Sequence, residues 1–183
     1  VDPRTGKVLS KTARNIVVQS EAFSNARGDV PLVEDFPAFA PRADLAALAG
    51  RYREAAKAEA NRVVGTLAGP ATRDGGKSGE SLLGNLIADS QLAATSAPDT
   101  GGAQIAFMNP GGLAPDKVGQ VTFGSVFAAQ PFGNTLITKT LTGKQILDVL
   151  EQQLNNPDWY RILSPSTGFR FGYDLSRPIG QRV

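Results

Sequence analysis

The run Glu80-Ser81-Leu82-Leu83-Gly84-Asn85-Leu86-Ile87-Ala88-Asp89 constrains the fold more than any other stretch of the chain. Leu82, Leu83, Leu86, Ile87 and Leu92 recur at threes and fours, the period of an α-helix with one broad apolar face. The pattern predicts a helix over residues 78–94. A face that wide has to be covered by another element. Gly84 lies within it and costs a helix about 1 kcal/mol relative to alanine. The expectation is that a neighbouring backbone passes close at Gly84.

The surrounding segments supply the partners. Residues 103–108 read as a buried strand opening into the turn Asn109-Pro110-Gly111-Gly112. Residues 134–141 read as a second strand, with Leu136, Thr138 and Thr140 alternating against Ile137 and Leu141. Thr142-Gly143-Lys144-Gln145 forms a capping box for a helix that buries Ile146, Leu147, Leu150 and Leu154 and stops before Pro157. Residues 166–173 read as a further strand, and Arg177-Pro178-Ile179-Gly180 as a turn into one more. Upstream, Leu45, Leu48, Tyr52, Ala56, Ala60 and Val63 mark a long surface helix with Asp44 as its cap. Before that helix, Asp2-Pro3-Arg4-Thr5-Gly6 is a turn signal. Val8-Leu9 and Ile16-Val17-Val18 are candidate hairpin strands, and Pro31, Pro37 and Pro41 interrupt regular pairing. Helices alternate with strands, while several connections have hairpin character. The expected class is α/β, with a mixed sheet and helices packed on it rather than a doubly wound parallel sheet.

Composition removes several functions. The 183 residues carry a net charge of only +2, with no Lys/Arg block and no basic-aromatic interleaving, which argues against nucleic-acid binding. No apolar run approaches the ~20 residues needed to span a bilayer. Cysteine and histidine are both absent. That excludes disulfides, thiolate metal sites, Ser-His or Cys-His catalysis and a histidine general base. There is no Ser-x-x-Lys pair and no Asp-x-Asp calcium loop, so no catalytic residue is expected in the chain itself. The chain begins at Val1 without a methionine or signal peptide, and the expectation is a fragment of a longer protein.

Three constellations remain. Gly75-Gly76-Lys77-Ser78 before a helix has the look of a phosphate loop, but the first glycine of that pattern falls on Ala71. Lys77 then reads as a solvated loop lysine or as an anion contact. Asn109 with Gly111 and Gly112 is a plain strand-to-loop turn, or a place where a ligand reaches the backbone and an amide offers donor and acceptor. Phe132, between Pro131 and Gly133, is a core residue or a ring presented for stacking. Phe123, Phe127, Phe169 and Phe171 read as core or strand residues.

Taken in order, Glu80 to Asp89, Asn109-Pro110-Gly111-Gly112 and Gln130-Pro131-Phe132-Gly133-Asn134 resemble the signature of the C-terminal, substrate-binding domain of the 5′-nucleotidase family. That family includes the bacterial 2′,3′-cyclic-nucleotide 2′-phosphodiesterases. The likeness continues through Leu141-Thr142-Gly143, Ser164-Pro165-Ser166-Thr167-Gly168-Phe169 and the final Pro178-Ile179-Gly180-Gln181-Arg182-Val183. It implies a mixed-sheet α/β domain over residues 64–183, incomplete at its C-terminus. Residues 42–63 would be an interdomain linker helix, and residues 1–41 the end of an N-terminal metallophosphatase domain with its linker.

By the same resemblance the chain is the nucleoside- or nucleotide-binding specificity domain of a secreted phosphohydrolase. Phe132 would be one of two rings sandwiching the base, and Asn134 would bond the base edge. Asn109, Gly111 and Gly112 would line the site, and Lys77 would stand where an arginine often contacts phosphate. Ala114 departs from the family's arginine after the glycines, which removes one phosphate contact. The chain would hold no cofactor of its own. A divalent pair such as zinc or manganese would sit in the missing N-terminal domain, which would also be its partner. The location would be extracellular, periplasmic or cell-wall associated. The alternative is a non-catalytic interaction module or proteolytic remnant without ligand.

Overall fold

A computed structural model of the chain describes residues 1–13, 15, 21–25, 28–32, 40–110, 119–156 and 161–183. The chain divides into two units, Val1–Ala55 and Ala56–Val183.

The first unit opens on the expected turn. The Gly6 amide donates to the Asp2 carbonyl at 2.9 Å, and Gly6 takes φ 68°, a value that favours glycine. Val8 and Leu9 lie in no strand, while Ile16, Val17, Val18 and Pro37 fall outside the described residues. The hairpin is instead β1 (Phe23–Asn25) against β2 (Gly28–Val30), antiparallel with Phe23 opposite Val30. Pro31, which has no amide hydrogen, follows β2 directly.

Helix α1 (Ala43–Ala60) buries none of its residues, as a surface helix should. It starts one residue before Asp44, which therefore lies in the first turn rather than at the cap. There the Arg42 guanidinium meets the Asp44 carboxylate at 2.6 Å and holds it below the usual carboxylate range. Val63 is not helical. The Asn61 and Arg62 amides close the last turn onto Lys57 and Glu59 carbonyls, and the β-branched pair Val63-Val64 begins a strand.

That strand, β3 (Val63–Leu67), pairs antiparallel with β5 (Gly119–Thr122), with a register irregularity between Val63 and Gly65. Helix α3 (Phe123–Ala129) follows at once through a reciprocal cap. Thr122 Oγ1 accepts from the Ser125 amide at 3.2 Å, and Ser125 Oγ accepts from the Thr122 amide at 2.8 Å. Neither β5 nor α3 was expected. Phe123 and Phe127, read as core or strand residues, are exposed on α3. The cap at Thr122 turns the chain into a helix before either ring can join a sheet face.

The packed centre is α2 (Leu82–Thr95) against β4 (Phe107–Met108) and β6 (Ser164–Pro165). Leu83, Ala88, Met108 and Ala71 are buried together, with Leu67 and Ile87 packed on them. The helix starts later than residue 78 because Ser81 caps it, accepting from the Gly84 amide at 3.0 Å. Gly84 does lie against a neighbour: a Cβ there would come within 2.7 Å of both Ser164 Cβ and Ser81 Oγ. The close element is strand β6, and what touches the glycine is a serine side chain rather than bare backbone.

β4 and β6 are antiparallel, with Met108 opposite Ser164. Ser166 extends the pairing: its amide donates to the Ala106 carbonyl at 2.9 Å, and its hydroxyl accepts from the Ala106 amide at 3.0 Å. The strand expected over 103–108 is two residues long, at 107–108. Residues 166–173, expected as a strand, form none; the partner of β4 is 164–165, just before them. The Asp89 carboxylate accepts from the Thr167 amide at 2.6 Å and its hydroxyl at 2.9 Å, tying α2 to the chain beyond β6.

Residues 134–141 form no strand. Leu136, Ile137 and Leu141 are all exposed, so the alternation buries neither face, and no described segment pairs with it. Helix α4 (Gly143–Gln152) has its capping box: the Gln145 amide bonds Thr142 Oγ1, and the Thr142 amide bonds Gln145 Oε1 at 2.8 Å. Leu150 and Leu154 are buried and Ile146 is half-buried. Leu147 is exposed. The helix ends before Pro157, which lies outside the described residues. Gln153 Oε1 accepts from the Leu163 amide at 2.7 Å, Glu151 Oε1 from the Val183 amide at 2.6 Å, and the Leu154 carbonyl from Arg182 at 2.5 Å. The turn at 177–180 is formed, with Gly180 at φ 86° and the Gln181 amide on the Pro178 carbonyl at 3.1 Å. It leads into no strand among the described residues.

The class is α/β as expected. The described strands form three separate two-stranded antiparallel sheets.

Candidate functional site

Phe132 stands on the turn that ends α3. The Gln130 amide closes the helix onto the Val126 carbonyl at 3.1 Å, and Pro131 stops it. Gly133 takes φ 61°, a conformation that lets the chain reverse at low cost. The Phe132 ring is 60% exposed, so it is no core residue. Asn134 is exposed beside it. Asn109 is exposed directly after β4, while Gly111, Gly112 and Ala114 lie outside the described residues.

Lys77 is exposed on the loop before α2 and makes no ion pair among the described residues. That loop folds on itself. The Gly79 amide donates to the Gly76 carbonyl at 2.9 Å, the Gly76 amide to the Glu80 carbonyl at 3.3 Å, and Gly75 lies against the Gly79 backbone. Amides engaged in this way do not cradle an anion. Phe132 and Asn134 therefore share one turn, Asn109 ends β4, and Lys77 precedes α2. None of the four lines either of the two cavities that follow.

The first cavity, of about 500 Å³, is lined by Ser78, Glu80, Asn85 and a row of rings, Phe169, Phe171 and Tyr173. Glu80 Oε1 accepts from Asn85 Nδ2 at 2.6 Å, while Asn85 Oδ1 is buried without a partner among the described residues. The Tyr173 hydroxyl donates to the Ser78 carbonyl at 2.9 Å, and Phe169 meets Phe107 edge-on at 5.3 Å. This row went unnoticed as a unit, although Phe169-x-Phe171-x-Tyr173 has the period of two that places side chains on one face of an extended chain. The second cavity, of about 710 Å³, lies between residues 101–107 and 136–141.

Charged groups pair at the surface. Arg62 grips Glu59 at 2.7 Å, keeps its carboxyl below the ordinary range, and lies 5.5 Å from the centre of the Phe123 ring. Among the described residues no three carboxylates gather where they could hold a metal ion, and the chain has no histidine or cysteine. These residues do not fit a dinuclear metal centre. No helix among them is long and apolar enough to cross a membrane. What the arrangement offers is recognition: an exposed ring with an amide beside it and, apart from these, the aromatic-lined first cavity.

Residues 63–183 match the family described as 5′-nucleotidase, C-terminal domain. The chain is 43% identical over 107 residues to the trifunctional nucleotide phosphoesterase protein YfkN of Bacillus subtilis, covering 57% of this chain and 7% of that protein. It is 30% identical over 172 residues to endonuclease YhcR of the same organism, covering 91% of this chain and 12% of the relative. The cell wall protein Lmo0130 of Listeria monocytogenes is 36% identical over 95 residues, 46% of this chain and 12% of its own length. Among solved structures, a 5′-nucleotidase precursor from Thermus thermophilus superposes with a TM-score of 0.63 at 31% identity, covering 88% of this chain and 33% of the other. The chain thus spans a minor part of each relative's length.

Proposed function

The chain belongs to the 5′-nucleotidase family as its C-terminal domain, and from that membership we propose that it is the nucleoside-binding specificity domain of a nucleotide phosphohydrolase. The observation that carries the reading is Phe132, 60% exposed on a Pro/Gly turn within the matched residues. A ring held there offers its face to a purine, and stacking of that kind contributes about 1–3 kcal/mol per base. Asn134, beside it, offers donor and acceptor to a base edge. Asn109, Gly111, Gly112 and Lys77 complete the proposed surface, with Lys77 as a point charge for phosphate.

Hydrolysis itself is assigned to an N-terminal metallophosphatase domain, in keeping with the small share of each relative that this chain spans. A divalent metal pair there would supply an activated water. On this reading residues 1–41 end that domain, 42–63 link it, and 64–183 bind substrate. A location outside the cytoplasm accords with the relative named as a cell wall protein.

The test is titration of adenosine into the isolated chain, followed by amide NMR. The expected result is saturable shifts at Gly133 and Asn134 with a Kd near ~1 mM, weakened about tenfold or more by Phe132→Ala. Absence of shifts there, or equal binding by the variant, overturns the assignment.

A further inference from the structure

Helix α3 brings a glycine onto the end of α1. A Cβ built on Gly124 would lie 2.9 Å from the Ala60 carbonyl oxygen and 3.3 Å from Ala60 Cβ. Gly124 is the second residue of α3, and its φ is not in the left-handed region. Backbone conformation therefore does not require glycine there, and within a helix glycine is less favourable than alanine. What excludes a side chain is the close approach of the α1 backbone. Both residues belong to the unit Ala56–Val183.

Other contacts fasten the same end of α3. The Phe123 amide donates to the Arg62 carbonyl at 2.9 Å, and Val63 stands opposite Thr122 at the end of the β3–β5 ladder. The Arg62 guanidinium, held by Glu59 at 2.7 Å, lies 5.5 Å from the centre of the Phe123 ring. At that distance a cation and a ring face attract each other. The far end of α3 carries the turn. There the Gln130 amide closes onto the Val126 carbonyl at 3.1 Å, and Pro131, Phe132 and Gly133 follow. Seven residues of helix, about 10 Å, separate the two ends.

We propose, on the reading that Phe132 stacks on the base, that Gly124 is its positioning residue: by letting α3 seat directly on the end of α1, it sets where the ring stands relative to Asn109 and Lys77. The proposed surface draws on three elements, the turn after α3, the end of β4 and the loop before α2. A nucleotide spans them only while the turn keeps its place. A methyl group at Gly124 meets backbone first, so no flexible side chain can swing aside to admit it, and α3 has to shift. A gap of about 0.5–1 Å forfeits about a quarter to a half of a van der Waals contact, and ring stacking falls with it.

Amide NMR of the ligand-free chain is the first test. Gly124→Ala should move the Gly133 and Asn134 signals and leave those of Met108 and Ser164 in place. Ala60→Val enters the same contact from the α1 side and should move the same two signals, which keeps the test open if the first variant does not fold. Titration with AMP, which carries both base and phosphate, should then give a Kd about threefold weaker for Gly124→Ala than for the parent. In a Phe132→Ala background the same substitution should weaken binding no further, because Gly124 acts through the ring that is gone. A role confined to folding would instead add in full. Unmoved turn signals in both variants, an unchanged Kd, or full additivity overturns the role of Gly124. A parent chain without AMP-dependent shifts at Gly133 and Asn134 overturns the stacking reading, and the positioning role with it. Normal AMP binding with unmoved turn signals overturns the positioning role alone.

Discussion

Residues 81–89 and residues 134–141 both carry leucine or isoleucine at regular intervals, and they end in opposite states. In the first, Leu83 and Ala88 are buried and Gly84 lies against the side chain of Ser164. In the second, Leu136 is 51% exposed and Ile137 76% exposed, on a stretch with no ladder partner among the described residues. The difference lies in what each element needs. A helix satisfies its own backbone and asks a neighbour only for apolar cover, which β4 and β6 supply to α2. A strand needs a neighbour for its backbone as well as its side chains, and an alternating pattern cannot supply one. Hydrophobic spacing therefore states a demand for burial, and only a partner at the right distance meets it.

The sharpest way to test the packed side is Gly84→Leu. Helix propensity rises with this change, so a solvent-facing Gly84 would make the variant more stable. The space beside Gly84 is taken by Ser164 and Ser81, so the larger side chain must displace strand β6 or unwind the first turn of α2. Overpacking of this kind should cost about 3 kcal/mol and lower the melting temperature by about 6–12 °C. Thermal and urea melts decide the sign. A variant as stable as the parent would show that the α2–β6 contact is loose, and the contrast with 134–141 would lose its basis.

Thr142→Ala should have an intermediate effect, because it acts where the open stretch gives way to α4. Thr142 Oγ1 and Gln145 Oε1 satisfy one amide each at the helix start. Loss of such a cap costs about 1 kcal/mol. Thr142→Ser, which keeps the hydroxyl, should recover most of it in the same urea melts. An unchanged midpoint for the alanine variant would mean that α4 is held by its buried leucines and the hydrogen bonds at its C-terminal end, not by its cap.

Local chemistry explains which elements were readable in advance. The caps at Thr142, the turn at 2–6 and the helix around Gly84 depend on neighbours within a few residues, and all three appear as expected. The missed elements also had local signals. Thr122-x-x-Ser125 is a reciprocal cap for α3, and Gly28, which begins β2, takes φ 116°. What could not be read was pairing. The partnership of β3 with β5 joins residues more than fifty positions apart, and nothing in the alternation of either names the other. The proposed site divides the same way. The turn that presents Phe132 is visible in Pro131 and Gly133, whereas the row Phe169-Phe171-Tyr173 gains meaning only once Ser78, Glu80 and Asn85 lie across from it.

The smallest expected effect tests the open side of the comparison. Ile137 is the most exposed residue of its stretch's apolar set, so little of its side chain is withdrawn from water on folding. Ile137→Ser should then change stability by less than about 0.5 kcal/mol, as surface substitutions do. It should also leave the thermal transition of the α2–β4–β6 region untouched, since Ile137 belongs to no part of that cluster. Urea and thermal unfolding, each followed by far-ultraviolet circular dichroism, measure the two. A loss above about 1 kcal/mol has no source in an exposed side chain and would mean that Ile137 is covered in solution. In that case residues 134–141 have found a partner, and the two regions differ in which neighbour they have, not in whether they have one.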